Sequence, residues 1–292
     1  MGAFAMRAAP RLWERISADS KREVLAPRYR PQPALWGDKG LHAAWLGHST
    51  VLLKLEGVTI LTDPVFSNRV GLGFGPVTIG LKRIVAPALR HAEFTHPDIV
   101  LLSHAHMDHF DLPSLRALES PTTAVVTASG TGDLLRVRNY RAVHELSWGE
   151  QAQIGDISIR AFQVNHWGAR MQSDTWRGFN GYVIESPRFR ILFAGDTAMT
   201  GTFRALRTTR PIDLAIMPIG AYNPWIRAHC TPEEAVTMAG HAGADLILPV
   251  HHKTFQLSSE PYSEPIERLE TALVSSPERL ALRDIGEEFS RL

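Results

Sequence analysis

Short apolar runs that each end at a polar or turn-forming residue recur along most of the chain and predict β-strands. In the first half they occupy residues 42–47, 51–55, 58–62, 99–102, 125–127 and 157–164. In the second half they occupy residues 181–185, 191–194, 214–217 and 246–250. Each half of the chain is therefore expected to be a mostly β segment with helices on its outside.

Helices are predicted between these runs, after Pro113, from residue 133, near 203–207, and over 232–240 and 265–273. The helix at 232–240 has the strongest start signal. Thr231 is a suitable N-cap, Pro232 occupies the first helical position and Glu234 completes a capping box.

Residues 65–96 show no clean period, and we expect a long loop there. The segment mixes apolar residues with Arg69, Lys82, Arg83 and Arg90 against a single acid, Glu93. The apolar and basic residues together would suit a hydrophobic substrate that carries a negative charge. A plain surface loop with scattered apolar residues is the alternative, and the sequence leaves both open.

Residues 1–40 form an N-terminal extension to a domain predicted over residues 41–292. Leu12, Trp13 and Ile16 have helical spacing and are followed by a proline-punctuated stretch. This predicts a short surface helix and a linker, with a membrane-surface anchor as the alternative. Charged residues interrupt every early apolar run, so we expect no cleavable signal peptide.

Composition narrows the class of protein. The chain has 292 residues, 44% of them apolar, and a net charge of +1. These values exclude a disordered chain and argue against a nucleic-acid partner. The single cysteine, Cys230, excludes thiolate-rich zinc sites and Fe–S clusters and fits a reducing, cytoplasmic location. No apolar run approaches the roughly 18 residues of a membrane span, and homo-oligomerisation stays open.

The densest chemical signal directly follows the buried run at 99–102. Three of the thirteen histidines and one aspartate fall within six positions, as His104, His106, Asp108 and His109. Such a cluster would be costly to bury without partners. Imidazole and carboxylate are preferred ligands of zinc and its neighbours, so the cluster predicts metal binding.

Further candidate ligands also stand just past apolar runs. His166 follows the run at 157–164, Asp196 the run at 191–194, and His251 and His252 the run at 246–250. In layered α/β folds, sites gather at the carboxyl ends of strands, so these side chains can converge. The run at 58–62 also leads into Asp63, and five strands that end in His or Asp by accident would be improbable.

The set fits a site for two divalent metal ions. One ion would take His104, His106 and His166; the second would take Asp108, His109 and His251; Asp196 would bridge them with its two oxygens. Ions about 3.5–4 Å apart hold a bridging hydroxide as nucleophile. Zinc is the expected metal, and the same ligands accept Mn²⁺ or Fe²⁺.

Several neighbouring residues have a structural alternative to metal binding. Adjacent residues on an extended segment point opposite ways, so only one of His251 and His252 is expected to bind metal. Asp63 precedes Pro64 and is expected to form a turn or support a ligand, whereas His48 would line the site or be structural. No pattern supports the remaining histidines, which are His42, His91, His96, His144, His229 and His241.

The motif His104-Ala105-His106-Met107-Asp108-His109 resembles the His-x-His-x-Asp-His signature of metallo-β-lactamase-fold hydrolases. His166, Asp196 and His251 appear in that family's order over roughly residues 42–275. The resemblance implies a four-layer αβ/βα sandwich of two mixed β-sheets flanked by helices. It also implies two metal ions at one edge of the sheets, hydrolysis, and His251 as the ligand in place of His252.

A narrower resemblance is to the branch of N-acylphosphatidylethanolamine-hydrolysing phospholipases D. The segments that carry it include residues 45–50, 61–67, 218–224 and 232–235. In that branch the ligand histidine is commonly followed by Trp-Gly-Thr, whereas here His252-Lys253-Thr254 follows.

The resulting hypothesis is that the protein is a phosphodiesterase of phospholipase D type. Its substrates would be N-acylphosphatidylethanolamine-like or related phosphodiesters, either lipids or small molecules, and the protein would make peripheral contact with the inner face of the membrane. Asp108 would orient the hydroxide and pass on its proton. Tyr222 or His252 would donate a hydrogen bond to the substrate. The alternative is a lactonase that resembles ascorbate-6-phosphate lactonases, in which the hydroxide attacks a carbonyl. A purely structural metal scaffold is disfavoured, because a structural site needs only one closed metal.

Overall fold

The structure is a computed structural model that describes residue 19, residues 21–74 and residues 77–292. The helix expected around Leu12, Trp13 and Ile16 lies outside the described residues. Within the described part, no helix combines the length and apolarity needed to cross a membrane.

Two large mixed sheets form the body of the molecule. The first contains β1 (Leu41–Gly47), β2 (Thr50–Leu55), β3 (Val58–Thr62), β6 (Ile99–Leu101), β7 (Ala124–Ala128), β8 (Ala142–Leu146) and β15 (Glu288–Arg291). Its order is β15-β1-β2-β3-β6-β7-β8, and the strands from β3 to β8 run parallel. The second contains β9 (Gln151–Ile154), β10 (Ile157–Phe162), β11 (Gly181–Glu185), β12 (Arg190–Phe193), β13 (Ile212–Pro218) and β14 (Ala244–Val250). Its order is β14-β13-β12-β11-β10-β9, with β12, β13 and β14 parallel.

The main hydrophobic core lies between the two sheets. Trp45 and Val100 of the first sheet belong to the same buried cluster as Ile159 and Phe193 of the second. A second cluster covers the other face of the second sheet, where α2 (Pro232–Ala242) and α3 (Glu264–Ala272) pack. A further α-helix, α1 (Leu112–Ala117), follows β6. The arrangement confirms the expected α/β class with two mixed sheets.

The segment expected to be a long loop instead contains an antiparallel hairpin, β4 (Arg69–Phe74) and β5 (Val77–Lys82). Glycine is uncommon in strands, and its frequency here hid the alternation of apolar residues. Gly71 and Gly80 face each other across the hairpin. A Cβ on Gly80 would lie 1.9 Å from the Val70 carbonyl oxygen, and one on Gly71 would lie 2.2 Å from that of Ile79. The close approach of the two strands therefore requires glycine.

Other elements also differ from expectation. The sequence did not predict β8, β9 or the half-exposed edge strand β15. The helices expected at 133–136 and 203–207 are short 3-10 segments, Gly132–Leu134 and Gly201–Leu206. The stretch expected to be a linker lies against the domain, where Leu25 bridges Val85.

Candidate metal centre

The histidine-rich loop follows β6 and is held rigidly by backbone contacts. The amides of His109 and Phe110 donate to the His106 carbonyl at 3.1 and 2.8 Å, which makes a tight turn. Arg170 donates to the carbonyls of Ala105 (3.0 Å) and Phe110 (2.8 Å) and so clamps both ends of the loop. These contacts therefore hold the backbone of the loop in one conformation.

Three histidines converge in what we call the first donor group, His104, His106 and His166. His104 Nε2 lies 2.8 Å from His106 Nδ1, which in turn lies 3.2 Å from His166 Nε2. His104 and His106 come from the loop after β6, whereas His166 follows β10 in the other sheet. The two sheets thus contribute to one set of ring nitrogens.

The second donor group is Asp108, His109 and His251. His109 Nε2 and His251 Nε2 each lie 3.6 Å from Asp108 Oδ2. His251 directly follows β14, and its backbone has φ +64°. The left-handed backbone is uncommon for histidine and belongs to a sharp turn at the end of the strand.

Asp196 connects the two groups. Its Oδ2 lies 3.1 Å from both His109 Nε2 and His251 Nε2, 3.8 Å from His166 Nε2 and 4.0 Å from His104 Nε2. One carboxylate oxygen is therefore within reach of every group member named here. The bridging role predicted from the sequence stays a prediction, and Asp196 lies between histidines of both groups, as that role would require.

Hydrogen bonds behind three of the imidazoles set their orientation. The Nδ1 atoms of His104, His109 and His166 lie 2.8, 2.7 and 2.9 Å from Ser103 Oγ, Asp63 Oδ2 and the Ala228 carbonyl, respectively. An Nδ1–H that donates to such an acceptor leaves the Nε2 lone pair for a metal.

Asp63 is the centre of this supporting network. The completely buried carboxylate also accepts hydrogen bonds from the Ser103 amide (2.7 Å) and the Ser103 hydroxyl (2.5 Å). Asp63 thus supports the candidate ligands His109 and His104, directly and through Ser103, which agrees with one of the two roles that the sequence left open.

The buried polar atoms of the cluster fit a divalent cation. His109 Nε2, His251 Nε2 and Asp196 Oδ1 are buried, and no hydrogen bond reaches them from the described residues. Buried polar groups are normally paired, so three orphaned atoms in one cluster need an explanation. A metal ion bound by nitrogen and oxygen ligands supplies one.

The charges of the second donor group are tightly coupled. Burial opposes protonation of His251, but the neighbouring carboxylates of Asp196 and Asp108 together outweigh it and raise the pKa of His251 to about 9. Despite burial, His109 and His251 hold the pKa of Asp196 well below its usual range. In contrast, burial holds the pKa of His104 and His166 well below that of a free imidazole. In the metal-free site, a proton on His251 therefore offsets the negative charge of the neighbouring carboxylates, and a bound cation would replace that proton.

Sequence reasoning missed His229. Its Nδ1 lies 3.7 Å from Asp196 Oδ2, and its ring lies 5.3 Å from that of His251. Burial lowers the pKa of His229 to about 4. The residue stands two positions before Thr231, the N-cap of α2, in the loop after β13. No strand ends next to His229, so the rule that found the other candidates gave no signal for it.

The structure does not bring Tyr222 and His252 to the cluster. The Tyr222 hydroxyl donates to Glu264 at 2.7 Å. The buried ring of His252 stacks on Trp45 with a centroid distance of 4.6 Å. Their geometry therefore gives no support to a role as donors to the substrate. His42, predicted to be ordinary, is bound to Ser290 and lies apart from the cluster.

Comparison with known proteins agrees with this geometry. The chain matches the family described as Beta-lactamase superfamily domain over residues 58–252. It is 33% identical to an uncharacterised protein of Mycobacterium tuberculosis over 282 residues, which cover 93% of this chain and 74% of that protein. It is 31% identical to N-acyl-phosphatidylethanolamine-hydrolyzing phospholipase D 1 of Caenorhabditis elegans over 250 residues, which cover 80% and 69%.

Solved structures share the fold. The metallo hydrolase Igni18 of Ignicoccus hospitalis superposes with a TM-score of 0.65 at 17% identity, over 87% of this chain and 99% of that one. Together with the matched family and the His/Asp cluster able to bind metal ions, these findings lead to one conclusion: the chain belongs to the beta-lactamase superfamily and is a metal-dependent hydrolase of that superfamily.

Proposed function

We propose that the chain is a two-metal phosphodiesterase of phospholipase D type that hydrolyses N-acylphosphatidylethanolamine-like lipids. The observation that carries the two-metal part is the position of Asp196 Oδ2, within 4.0 Å of Nε2 atoms from both donor groups. The phosphodiester part is supported by the Caenorhabditis elegans relative, whose name states that activity.

The reaction adds water across one phosphorus–oxygen bond. The water oxygen forms a new bond to phosphorus, the bond from phosphorus to the N-acylethanolamine oxygen breaks, and that oxygen takes up a proton. The products are phosphatidic acid and N-acylethanolamine. Two divalent ions, which we propose are zinc, would supply Lewis-acid stabilisation of the phosphoryl oxygens and activation of water at neutral pH.

The residues of the chain would orient the reactants. The first donor group and the second donor group would each hold one ion, and Asp196 would belong to both. The Asp108 side chain keeps 17% of its surface exposed, so its carboxylate can reach a substrate or a water molecule. His229 lies beside Asp196 and is nearly buried, which suits it to contact a phosphoryl group at the edge of the site.

Exposed apolar side chains next to the centre support a lipid substrate. Trp167 stacks on His166 at 4.5 Å and lies edge-on to His106 at 4.8 Å, yet nearly half of its surface is exposed. Trp225 and Ile226 are also exposed and precede His229 in the same loop. Tryptophan is favoured at the boundary between water and lipid. We propose that this rim, Trp167, Trp225 and Ile226, contacts the lipid surface while a headgroup enters the site.

Product analysis tests the chemistry. Zinc-loaded protein is incubated with N-acylphosphatidylethanolamine vesicles, and released phosphatidic acid and N-acylethanolamine are measured by mass spectrometry. We expect both products from the wild type and at least a hundredfold less from Asp196→Asn. Asp98→Asn, a surface carboxylate bound to Thr59, is the matched control and should behave as wild type. Cleavage of a lactone panel without release of either lipid product would overturn the phosphodiesterase proposal.

A second measurement tests the rim. The double variant Trp225→Ser, Ile226→Ser should bind vesicles more weakly and cleave vesicle lipid more slowly. It should hydrolyse the water-soluble diester bis(p-nitrophenyl) phosphate at the wild-type rate. Equal loss on both substrates would show that the rim supports the site and does not contact lipid.

A further inference from the structure

His48 occupies the tight turn between β1 and β2, next to the second donor group. Its backbone is in the left-handed region, at φ +53°. The His48 amide donates to Thr254 Oγ1 at 2.6 Å, and its carbonyl accepts from Trp45 Nε1 at 2.8 Å and from the His251 amide at 3.1 Å. Hydrogen bonds thus lock an uncommon backbone conformation and tie it to the turn that carries His251.

This locked backbone directs the His48 ring at Asp108. His48 Nε2 lies 3.0 Å from Asp108 Oδ2, and the histidine side chain is only 1% exposed. Among the described residues, no other hydrogen bond joins the Asp108 carboxylate. The carboxylate is partly open to solvent, so without His48 it could rotate away from His109 and His251.

The same relationship recurs elsewhere in the cluster. The Nδ1 atoms of three other histidines each have a hydrogen-bond partner behind them. These pairs are His109 with Asp63, His104 with Ser103, and His166 with the Ala228 carbonyl. Such outer hydrogen bonds orient metal ligands and tune their affinity. Asp108 is the partly exposed member of the second donor group, and His48 is its hydrogen-bond partner.

We infer that His48 is a positioning residue that holds Asp108 Oδ2 in place for the second metal ion. A carboxylate oxygen has two lone pairs, so Oδ2 can accept the His48 N–H and still face a cation. Oδ2 is also the oxygen that lies 3.6 Å from both His109 and His251 Nε2. His48 lies outside residues 58–252, the range matched to the family. The inference rests on the two-metal site proposed above.

Two amide variants separate the roles that His48 could have. The side-chain nitrogen of Gln reaches about as far as histidine Nε2, whereas that of Asn reaches only as far as Nδ1. His48→Gln therefore keeps a donor near Asp108, and His48→Asn loses it, although Asn tolerates the left-handed backbone well. His42→Gln is the matched control, because His42 is a buried histidine at the opposite end of β1.

The experiment is a zinc titration of each metal-free protein against a chromophoric chelator, with circular dichroism to confirm folding. We expect two equivalents in the wild type and in His42→Gln. His48→Asn should bind the first equivalent normally and the second about 10–100-fold more weakly. His48→Gln should remain within about threefold of the wild type for both. The Co²⁺ spectrum of the second equivalent should follow the same order.

The possible failures are distinguishable. If the wild type binds only one equivalent, the two-metal proposal fails and takes this inference with it. If the wild type binds two and His48→Asn binds both as tightly, the His48 inference alone is overturned. If His48→Gln loses the second equivalent as fully as His48→Asn, a hydrogen-bond donor is insufficient, and His48 itself would be a ligand. If the Asn variant does not fold, near-wild-type binding by the Gln variant supports the inference and weak binding overturns it.

Discussion

Replacement of Asp63 by asparagine should weaken the second metal site without direct contact to the ion. The carboxylate is completely buried and accepts three hydrogen bonds of 2.5–2.7 Å, two from Ser103 and one from His109 Nδ1. In Asp63→Asn, the amide oxygen can keep the Ser103 amide, but the new NH₂ group faces His109. Two donors cannot pair, so His109 would shift its proton to Nε2 and lose the lone pair that faces the cluster.

The magnitude follows from this loss. Removal of such an outer partner costs about 10–100-fold in metal affinity, or roughly 1.4–2.8 kcal/mol. Loss of one hydrogen bond to a charged group costs the metal-free fold about 2 kcal/mol. For a chain of this size, that lowers the melting temperature by roughly 3 °C.

Zinc titration and differential scanning calorimetry measure the two effects. Asp98→Asn is the matched control. Asp98 also accepts two hydrogen bonds, both from Thr59 of β3, but it is exposed and remote from the site. It should leave metal affinity unchanged. An Asp63→Asn protein that binds its second zinc ion with wild-type affinity would refute the tautomer argument.

Three further predictions use the same geometry. Because the pKa of His251 is raised to about 9, metal binding at pH 7 should release its proton, and the affinity of the second donor group for metal should rise with pH until about 9. Calorimetry in buffers of different ionisation enthalpy measures the released protons, and the absence of proton release would contradict this prediction. Arg170→Met removes the clamp on the carbonyls of Ala105 and Phe110 and should lower the free energy of unfolding in urea by about 2–3 kcal/mol, whereas an unchanged midpoint would contradict the clamp. Chelation from a zinc concentration about 100-fold above the dissociation constant should remove about 2.7 kcal/mol of stability, and an unshifted melting temperature would show that the folded chain holds no metal.

The convergence of the candidate ligands could be predicted from the positions at which strands end. His104, Asp196 and His251 each follow a strand within three residues, and the carboxyl ends of those strands meet at one edge. His229 escaped because it stands in the long loop after β13, where no strand end marks it. Only tertiary contact brings it beside Asp196.

The choice within the adjacent pair His251 and His252 illustrates the same limit. Alternation along an extended segment predicts that only one of them faces the cluster, but it does not say which. Packing distinguishes the two residues, because the buried ring of His252 stacks on Trp45. The role of His48 was equally hidden, since its partner Asp108 stands 60 positions away in sequence.

The central claim is that one carboxylate joins two metal-binding groups. Elemental analysis of protein purified without chelator and dialysed against metal-free buffer tests it most directly. We expect two equivalents of divalent metal per wild-type chain and marked loss of both in Asp196→Ala, because the Oδ2 that this variant lacks lies close to both donor groups. A wild-type chain with one equivalent, or an Asp196→Ala chain that retains both, would contradict it.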